Sequence, residues 1–291
     1  MKVAVVGSDG QLGADIVSQF GDCGEEASAL THLDIELSSF DSVRECLQAT
    51  NAEFVINTAA MHHVEKCEQD PARAFAVNAI GARNLALVTR EMDAVLVHIS
   101  TDYVFDGTKG EPYLEEDPAL PLNVYGNSKL AGENFVRTLN PKHFVLRTSA
   151  LYGKHPCRAK GGLNFVELML KLGRERGSVR VVNDEHVSPT ATSGVARQIA
   201  ALRQCRDYGL YHATAEGSCS WYEFAKEIFA AAGMPVDVQV AHASEFAGKV
   251  PRPHYSVLEN RHLKAVGINV FQSWQEDLAG YMRVTSDASV A

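Results

Sequence analysis

Tyr125-Gly126-Asn127-Ser128-Lys129 sets a phenol and an ammonium four residues apart. On a helix that spacing places both on one face. An ammonium beside a tyrosine favours the phenolate, so the pair predicts a Tyr125 pKa lowered toward working pH. A tyrosine tuned in this way protonates the alkoxide that forms as hydride reaches a ketone carbon. Lys129 can also hydrogen-bond a ribose hydroxyl. Thr101 follows the apolar run 94–100, at the carboxyl end of a predicted strand, where open α/β sheets bind ligands. Its hydroxyl is placed to hold a substrate carbonyl oxygen. Taken singly, a Tyr-x-x-x-Lys is often a solvated helix face and a strand-end threonine is often a cap. Their order along the chain, behind an N-terminal glycine loop, favours the catalytic reading.

That loop is Gly7-Ser8-Asp9-Gly10-Gln11-Leu12-Gly13, directly after the first apolar strand and opening the first predicted helix. Glycine allows a tight turn and close backbone approach to a pyrophosphate, and the helix N-terminus offers free N–H groups to it. The spacing is GxxGxxG. Its position, within repeated β-α units, points to a nicotinamide dinucleotide. The second strand ends at Leu30-Thr31-His32 with no acid to hold the ribose hydroxyls of NAD, which leans toward NADPH over NADH. Asp34 opposes that leaning, because it lies near the distance expected of a ribose-binding acid.

The elements that must carry these residues alternate through the first half. Strands are predicted at 2–6, 27–30, 54–57, 94–100 and 143–147, with helices at 11–20, 42–49, 70–91 and 125–137. Near-continuous apolar strands between helices predict an α/β fold, a doubly wound parallel sheet, with a second, smaller substrate-binding lobe. Residues 1–149 and about 187–214 are assigned to the dinucleotide-binding domain. Residues about 150–186 and 215–291 form the smaller lobe; the second half carries helices at 164–174, 192–202 and 221–232 and a strand at 179–182, some of these elements returning to pack on the sheet. The end beyond about Arg283 is expected to fray.

Composition excludes several classes. The 291 residues carry a formal charge of −9, which argues against nonspecific binding to nucleic acid or anionic membrane. No apolar stretch is long enough to span a bilayer, and the N-terminus does not read as a signal peptide. The six cysteines are scattered without a CxxC pair, so neither zinc nor disulfides are expected, in keeping with a cytoplasmic protein. His62 and His63, followed by Glu65, Cys67 and Glu68, read as a mouth of the substrate site rather than a metal centre. Asn78 reads either as a satisfied buried amide or as a group holding backbone near the site. Trp221, Tyr222 and Phe224 read as core of the smaller lobe.

With these residues in view, the chain resembles the extended short-chain dehydrogenase/reductases, and within them the dTDP-4-dehydrorhamnose reductase family. The resemblance is carried by 7–13, Val55-Ile56-Asn57-Thr58-Ala59-Ala60, Ile99 to Gly107, Pro121 to Gly126, Lys129 to Glu133, Gly209-Leu210-Tyr211-His212, Arg252-Pro253 and Ser256-Val257-Leu258. It implies an NAD(P)H-dependent reductase of a nucleotide-linked 4-keto-6-deoxy sugar, with a Rossmann domain. It implies that Gly10, Gln11 and Leu12 meet the cofactor phosphates, Asp34 and Ile35 the adenine, and Ala59, Ala60 and Met61 the cofactor's flank. Thr101 and Asp102 would meet the sugar, Tyr125 would donate the proton, Lys129 would hold the ribose, and Arg252 would approach the diphosphate. A homodimer, in parts of the family linked by magnesium, is also implied, although no acidic cluster stands out as its ligands. The chain departs from the family at Ala150, where a tryptophan is usual, at the longer stretch Lys154 to Gly162, and at His186, where relatives often carry glutamine. Two other readings stand beside the reductase. One is a non-catalytic NADP-binding regulatory subunit, like the beta subunit of methionine adenosyltransferase. The other is a sugar-nucleotide epimerase.

Overall fold

Every residue of the first strand, β1 (Val3–Val6), is buried, which requires cover on both faces of the sheet. A computed structural model of the chain describes residues 1–157, 161–245 and 250–287. In it β1 is followed by α1 (Gln11–Asp22), β2 (Ala27–Leu30), α2 (Phe40–Thr50) and β3 (Phe54–Asn57). Next come α3 (Val64–Gln69), α4 (Pro71–Phe75), a π-helical turn (Ala76–Ile80), α5 (Gly81–Glu91) and β4 (Val95–Thr101). Then α6 (Val124–Leu139) and β5 (His143–Thr148) complete the first half. The second half adds β6 (Leu151–Tyr152), α7 (Phe165–Arg176), β7 (Ser178–Val182), β8 (His186–Val187), β9 (Thr190–Ala191) and α8 (Thr192–Leu202). It ends with β10 (Gly209–His212), β11 (Cys219–Ser220), α9 (Trp221–Ala231), β12 (Asp237–Ala241), α10 (Arg261–Ala265) and α11 (Trp274–Asp287).

Six strands pair in the order β10-β5-β4-β3-β1-β2, all parallel, which is the expected doubly wound sheet. Side-chain alternation divides the strands between two cores. Val3 and Val5 of β1 pack with Ile16 and Phe20 of α1 and Val195 and Ile199 of α8 on one face. Ala4 and Val6 pack with Val43, Leu47, Leu85 and Val136 on the other. Each fully buried aliphatic or aromatic side chain contributes about 1.5–3 kcal/mol, so the sheet is a stiff base for its carboxyl edge. A third core gathers Tyr152, Val166, Phe224, Ile228, Trp274 and Tyr281, around the parallel pair β7–β12. This is the smaller lobe. Leu263 and Phe271 pack instead in the first core, so the chain returns under the sheet before α11.

Two sequence expectations need correction. The helix expected over 70–91 is interrupted by the π turn at Ala76–Ile80. That turn directs the Asn78 amide to Met61 and Ser128, and its backbone lies against α6 so closely that a Cβ on Gly132 would stand 2.3 Å from the Asn78 carbonyl oxygen. The second concerns the chain end: α11 continues through Asp287, past the point where fraying was expected, because Trp274, Leu278 and Tyr281 anchor it in the third core. Within the stretch 154–162, Arg158 and Lys160 lie outside the described residues.

Helix α6 is locked to the sheet by a buried ion pair. Arg147 of β5 donates two hydrogen bonds to Glu133, Nε to Oε1 at 3.0 Å and Nη2 to Oε2 at 2.7 Å, and Ser100 of β4 donates to Glu133 Oε1 at 2.5 Å. Removing one partner of such a pair strands the other charge in the interior. Glu133→Ala is expected to lower unfolding free energy by about 3–5 kcal/mol, measured by urea denaturation; a loss under about 1 kcal/mol would contradict this role.

Candidate active site

The carboxyl ends of β1, β3, β4 and β5 open into a cavity of about 890 Å³, closed on the far side by Val187, Trp221 and Arg252. It is lined by Gly7, Gly10, Gln11, Leu12 and Gly13 from the glycine loop, with Ile35, Ala59 and Ala60 further along. Thr101, Asp102, Tyr125, Lys129, Ala150 and Arg252 line the same space. The fold therefore brings together nearly all residues singled out in the sequence. Of those assigned to catalysis, cofactor or sugar, Asp34 and Met61 are the exceptions. The Asp34 carboxylate turns back to accept from the Thr31 N–H at 2.7 Å and hydroxyl at 2.8 Å. Met61 is held by its backbone, its N–H donating to Asn78 Oδ1 at 2.8 Å and its carbonyl accepting from Asn78 Nδ2 at 2.9 Å. Asn78 thus takes the backbone-holding role.

The glycine loop fits a pyrophosphate. Gly7 has φ +80°, and a Cβ on Gly13 would stand 2.1 Å from the Gly7 carbonyl oxygen, so the loop folds onto the first turn of α1 only without side chains there. Gln11 donates from Nε2 to the carbonyls of Gly153 and His155 at 3.3 and 3.2 Å, tying this loop to the segment after β6. Near the end of β2 the wall consists of Thr31, His32, Glu36 and Arg73, with Arg73 Nη2 3.7 Å from Glu36 Oε2.

Tyr125 and Lys129 share one face of α6, as the spacing predicts, but the lysine does not tune the tyrosine as expected. Lys129 Nζ donates to the Ile99 carbonyl at 2.6 Å and lies 3.4 Å from His98 Nε2. Burial pushes the Tyr125 phenol well above its usual value, with the Thr101 hydroxyl pulling the other way. Burial likewise pushes Lys129 down to about 8, opposed by Glu133. Tyr103 meets Tyr125 edge to face at 5.8 Å between ring centroids.

Asp102 is enclosed rather than open to a ligand. It accepts from Thr101 Oγ1 at 3.0 Å, Ser149 Oγ at 2.9 Å and Ser256 Oγ at 2.6 Å, and burial raises its pKa. It therefore fastens the ends of β4 and β5 to the late loop that carries Arg252. Arg252 donates to Glu65, whose carboxylate also faces His63 at 3.2 Å. His62 and His63 both line the cavity, which fits the mouth assignment. Ala150 sits in the left-handed region at φ 45°. Trp221 packs on Phe165 at 4.6 Å between centroids and also reaches the cavity, so it is not core alone. His186 serves through its backbone, donating to the His254 carbonyl at 2.8 Å and accepting from the Ser256 N–H at 2.9 Å.

Sequence reasoning missed Ser100, Glu133, Arg147, Ser149 and Ser256. The signal for the ion pair was present: Glu133 lies one turn beyond Lys129, and a charged Arg147 inside an apolar strand needs a partner. Among the described residues one group, Glu115, Glu116 and His262, has the geometry to hold a metal ion, but it does not line the cavity.

Residues 1–286 match the family model described as the RmlD substrate binding domain. The chain belongs to this family. A Bacillus subtilis spore coat polysaccharide biosynthesis protein, SpsK, is 39% identical over 287 residues, covering 99% of each chain. A solved dTDP-4-dehydrorhamnose reductase from Clostridium acetobutylicum superposes with TM-score 0.93 at 38% identity, over 98% of this chain and 100% of that one. Another from Bacillus anthracis, solved in complex with NADP, gives TM-score 0.92 at 37% identity, again over 98% of this chain and 100% of the other. Among the described residues no helix is long and apolar enough to cross a membrane.

The depressed Lys129 pKa carries a stability prediction. A folded value of about 8 against an ordinary 10.5 means burial of the charged form costs folding energy. That cost, about 3 kcal/mol, is present in full below pH about 8 and disappears as pH rises toward the unfolded value. Lys129→Met is expected to be more stable than wild type at neutral pH, the gap closing between pH about 8 and about 10.5 by denaturant titration. A variant that is less stable at pH about 7 would contradict it.

Proposed function

We propose that the protein reduces the C4 ketone of a dTDP-linked 4-keto-6-deoxy sugar with NADPH, taking dTDP-4-dehydrorhamnose to dTDP-L-rhamnose. The observation that carries this is the meeting of Thr101, Tyr125 and Lys129 with the glycine loop on one cavity, in a chain of the RmlD family. NADPH, when bound, supplies the hydride. Gly7, Gly10, Gln11, Leu12 and Gly13 hold its pyrophosphate, and Ile35, Ala59 and Ala60 flank it. The wall at Thr31, His32 and Arg73 favours the phosphorylated ribose, since Asp34 is turned away and Arg73 offsets Glu36. Asp34 and Met61 act through their turns and backbone rather than by direct contact.

Tyr125 gives its phenolic proton to the C4 oxygen; burial keeps the phenol protonated between turnovers and also makes it a weaker acid, so the Thr101 hydroxyl, which pulls its pKa down, assists the transfer. Thr101 orients that oxygen. Lys129 would hold the ribose. Asp102 keeps Thr101 in place and closes the pocket floor. Arg252 exchanges Glu65 for the diphosphate of the substrate. Ala150 leaves room beside the sugar, and Trp221 offers the flat apolar wall. The free thiols fit a cytoplasmic setting, and the likeness to the spore coat protein fits a product destined for a surface polysaccharide.

Incubation with NADPH and a panel of keto-deoxy sugar nucleotides, followed by absorbance loss, is expected to show turnover with the dTDP-4-dehydro sugar. Tyr125→Phe should lose about 100-fold or more in kcat while NADPH affinity changes less than about threefold. Equal loss of both would overturn the tyrosine's role. Stoichiometric nicotinamide retained on purification with no net cofactor consumption would favour an epimerase. Capture of a stoichiometric enzyme partner without turnover would favour a regulatory subunit.

A further inference from the structure

A line of three buried polar side chains crosses the sheet behind the active site. Asn57 ends β3, His98 lies in β4 and Lys129 in α6, and they are 2%, 1% and 2% exposed. Side chains so buried take their partners from one another and from nearby backbone. The orientation of Asn57 is fixed by the backbone: its Oδ1 accepts from the Ala59 N–H at 3.1 Å. That leaves its Nδ2 to donate to His98 Nδ1 at 3.0 Å. His98 Nδ1 is then an acceptor, and a neutral imidazole carries its one proton on Nε2. His98 Nε2 faces Lys129 Nζ at 3.4 Å. An imidazole N–H meets repulsion from an ammonium but finds an acceptor in an amine.

We propose that Asn57 and His98 are positioning residues that form one proton-coupled chain with Lys129, the arrangement seen here belonging to its amine form. When Lys129 takes up a proton, its ammonium donates to His98 Nε2, so the imidazole proton moves to Nδ1. That proton needs Asn57 Oδ1, the amide must turn over, and the Ala59 N–H loses its acceptor. One proton enters, at Lys129, and the histidine stays neutral throughout. The proposal rests on the reading of Lys129 as an active-site lysine. Its consequence is that the charge on Lys129 is linked to a backbone N–H in the wall that faces the cofactor, since Ala59 lines the cavity.

Other groups also face the lysine. On α6, Tyr125 is held protonated by burial, and Glu133, paired with Arg147 of β5 and the Ser100 hydroxyl, still favours the charged form of Lys129 against its burial. On β4, burial and the nearby Lys129 hold His98 far below its usual pKa, so it is not a competing cation. Asp102, after β4, is enclosed by three hydroxyls, and burial of Cys67 on α3 keeps that thiol protonated. The burial that lowers Lys129 brings its titration within reach of ordinary buffers.

The test is NMR on protein carrying 15N-histidine, 15N-alanine and 13C/15N-lysine, titrated without substrate. Lys129, the His98 ring nitrogens and the Ala59 amide are expected to shift with one common midpoint, His98 changing from the Nε2–H to the Nδ1–H tautomer as pH falls. Asn57→Leu should break the coupling: the Ala59 amide no longer follows, and the Lys129 midpoint moves by roughly half a unit or more. A His98 that keeps one tautomer through the Lys129 titration, or an Ala59 amide that does not respond in wild type, overturns the chain. Because no turnover is read, failure of the chain and failure of the proposed reaction are separate results.

Discussion

The position of Tyr125 and Lys129 depends on one buried charge pair. Glu133 lies one helical turn beyond Lys129 and two beyond Tyr125, so fixing Glu133 fixes the rotation of α6 and the height of all three along it. Arg147 does this from β5 and Ser100 from β4, both through side chains the solvent does not reach. An ion pair in the interior is a weak source of stability, because desolvation takes back most of the attraction. Its value here is geometric: a planar guanidinium and a carboxylate joined twice tolerate little sliding.

The same economy governs the surroundings. Gly132 lets α6 approach the π turn, and the Asn78 side chain on that turn clasps both backbone groups of Met61 and the Ser128 hydroxyl. Asp102 gathers three hydroxyls from three segments and so joins the edge of the sheet to the loop bearing Arg252. Buried polar groups that are fully paired fix one arrangement, whereas apolar packing alone tolerates several. The cavity wall is therefore held in one arrangement around Thr101, Tyr125 and Lys129. At Arg252 and Glu65, both partly exposed, an ion pair lines the cavity.

Much of this was legible in the sequence. Parallel strands buried on both faces read as apolar runs, so the sheet and its carboxyl edge were visible in advance, and with them Thr101 and the glycine loop. Tyr125 and Lys129 were visible because helical spacing is local. What escaped was set by partners far away in the chain. The π turn adds a single residue to one turn, too slight a change of period to detect, and the Met61 backbone that its Asn78 holds lies 17 residues upstream. The shared face of Tyr125 and Lys129 was correct, yet spacing cannot tell where the lysine Nζ finds its acceptor; that was the Ile99 carbonyl, and burial keeps Tyr125 a phenol. Trp221 belonged to the smaller lobe's core as read, and only the packing of that lobe over the sheet showed that it also lines the cavity.

The central claim is that this cavity delivers hydride to a sugar ketone and a proton to its oxygen. The most direct measurement uses NADPH carrying deuterium at the transferred position of its nicotinamide ring, with the dTDP-4-dehydro sugar, and reads the product by mass and NMR. The account predicts one deuterium per product, bound to C4, with one NADPH consumed for each. Product without deuterium, or C4 inverted with no net loss of NADPH, would contradict it.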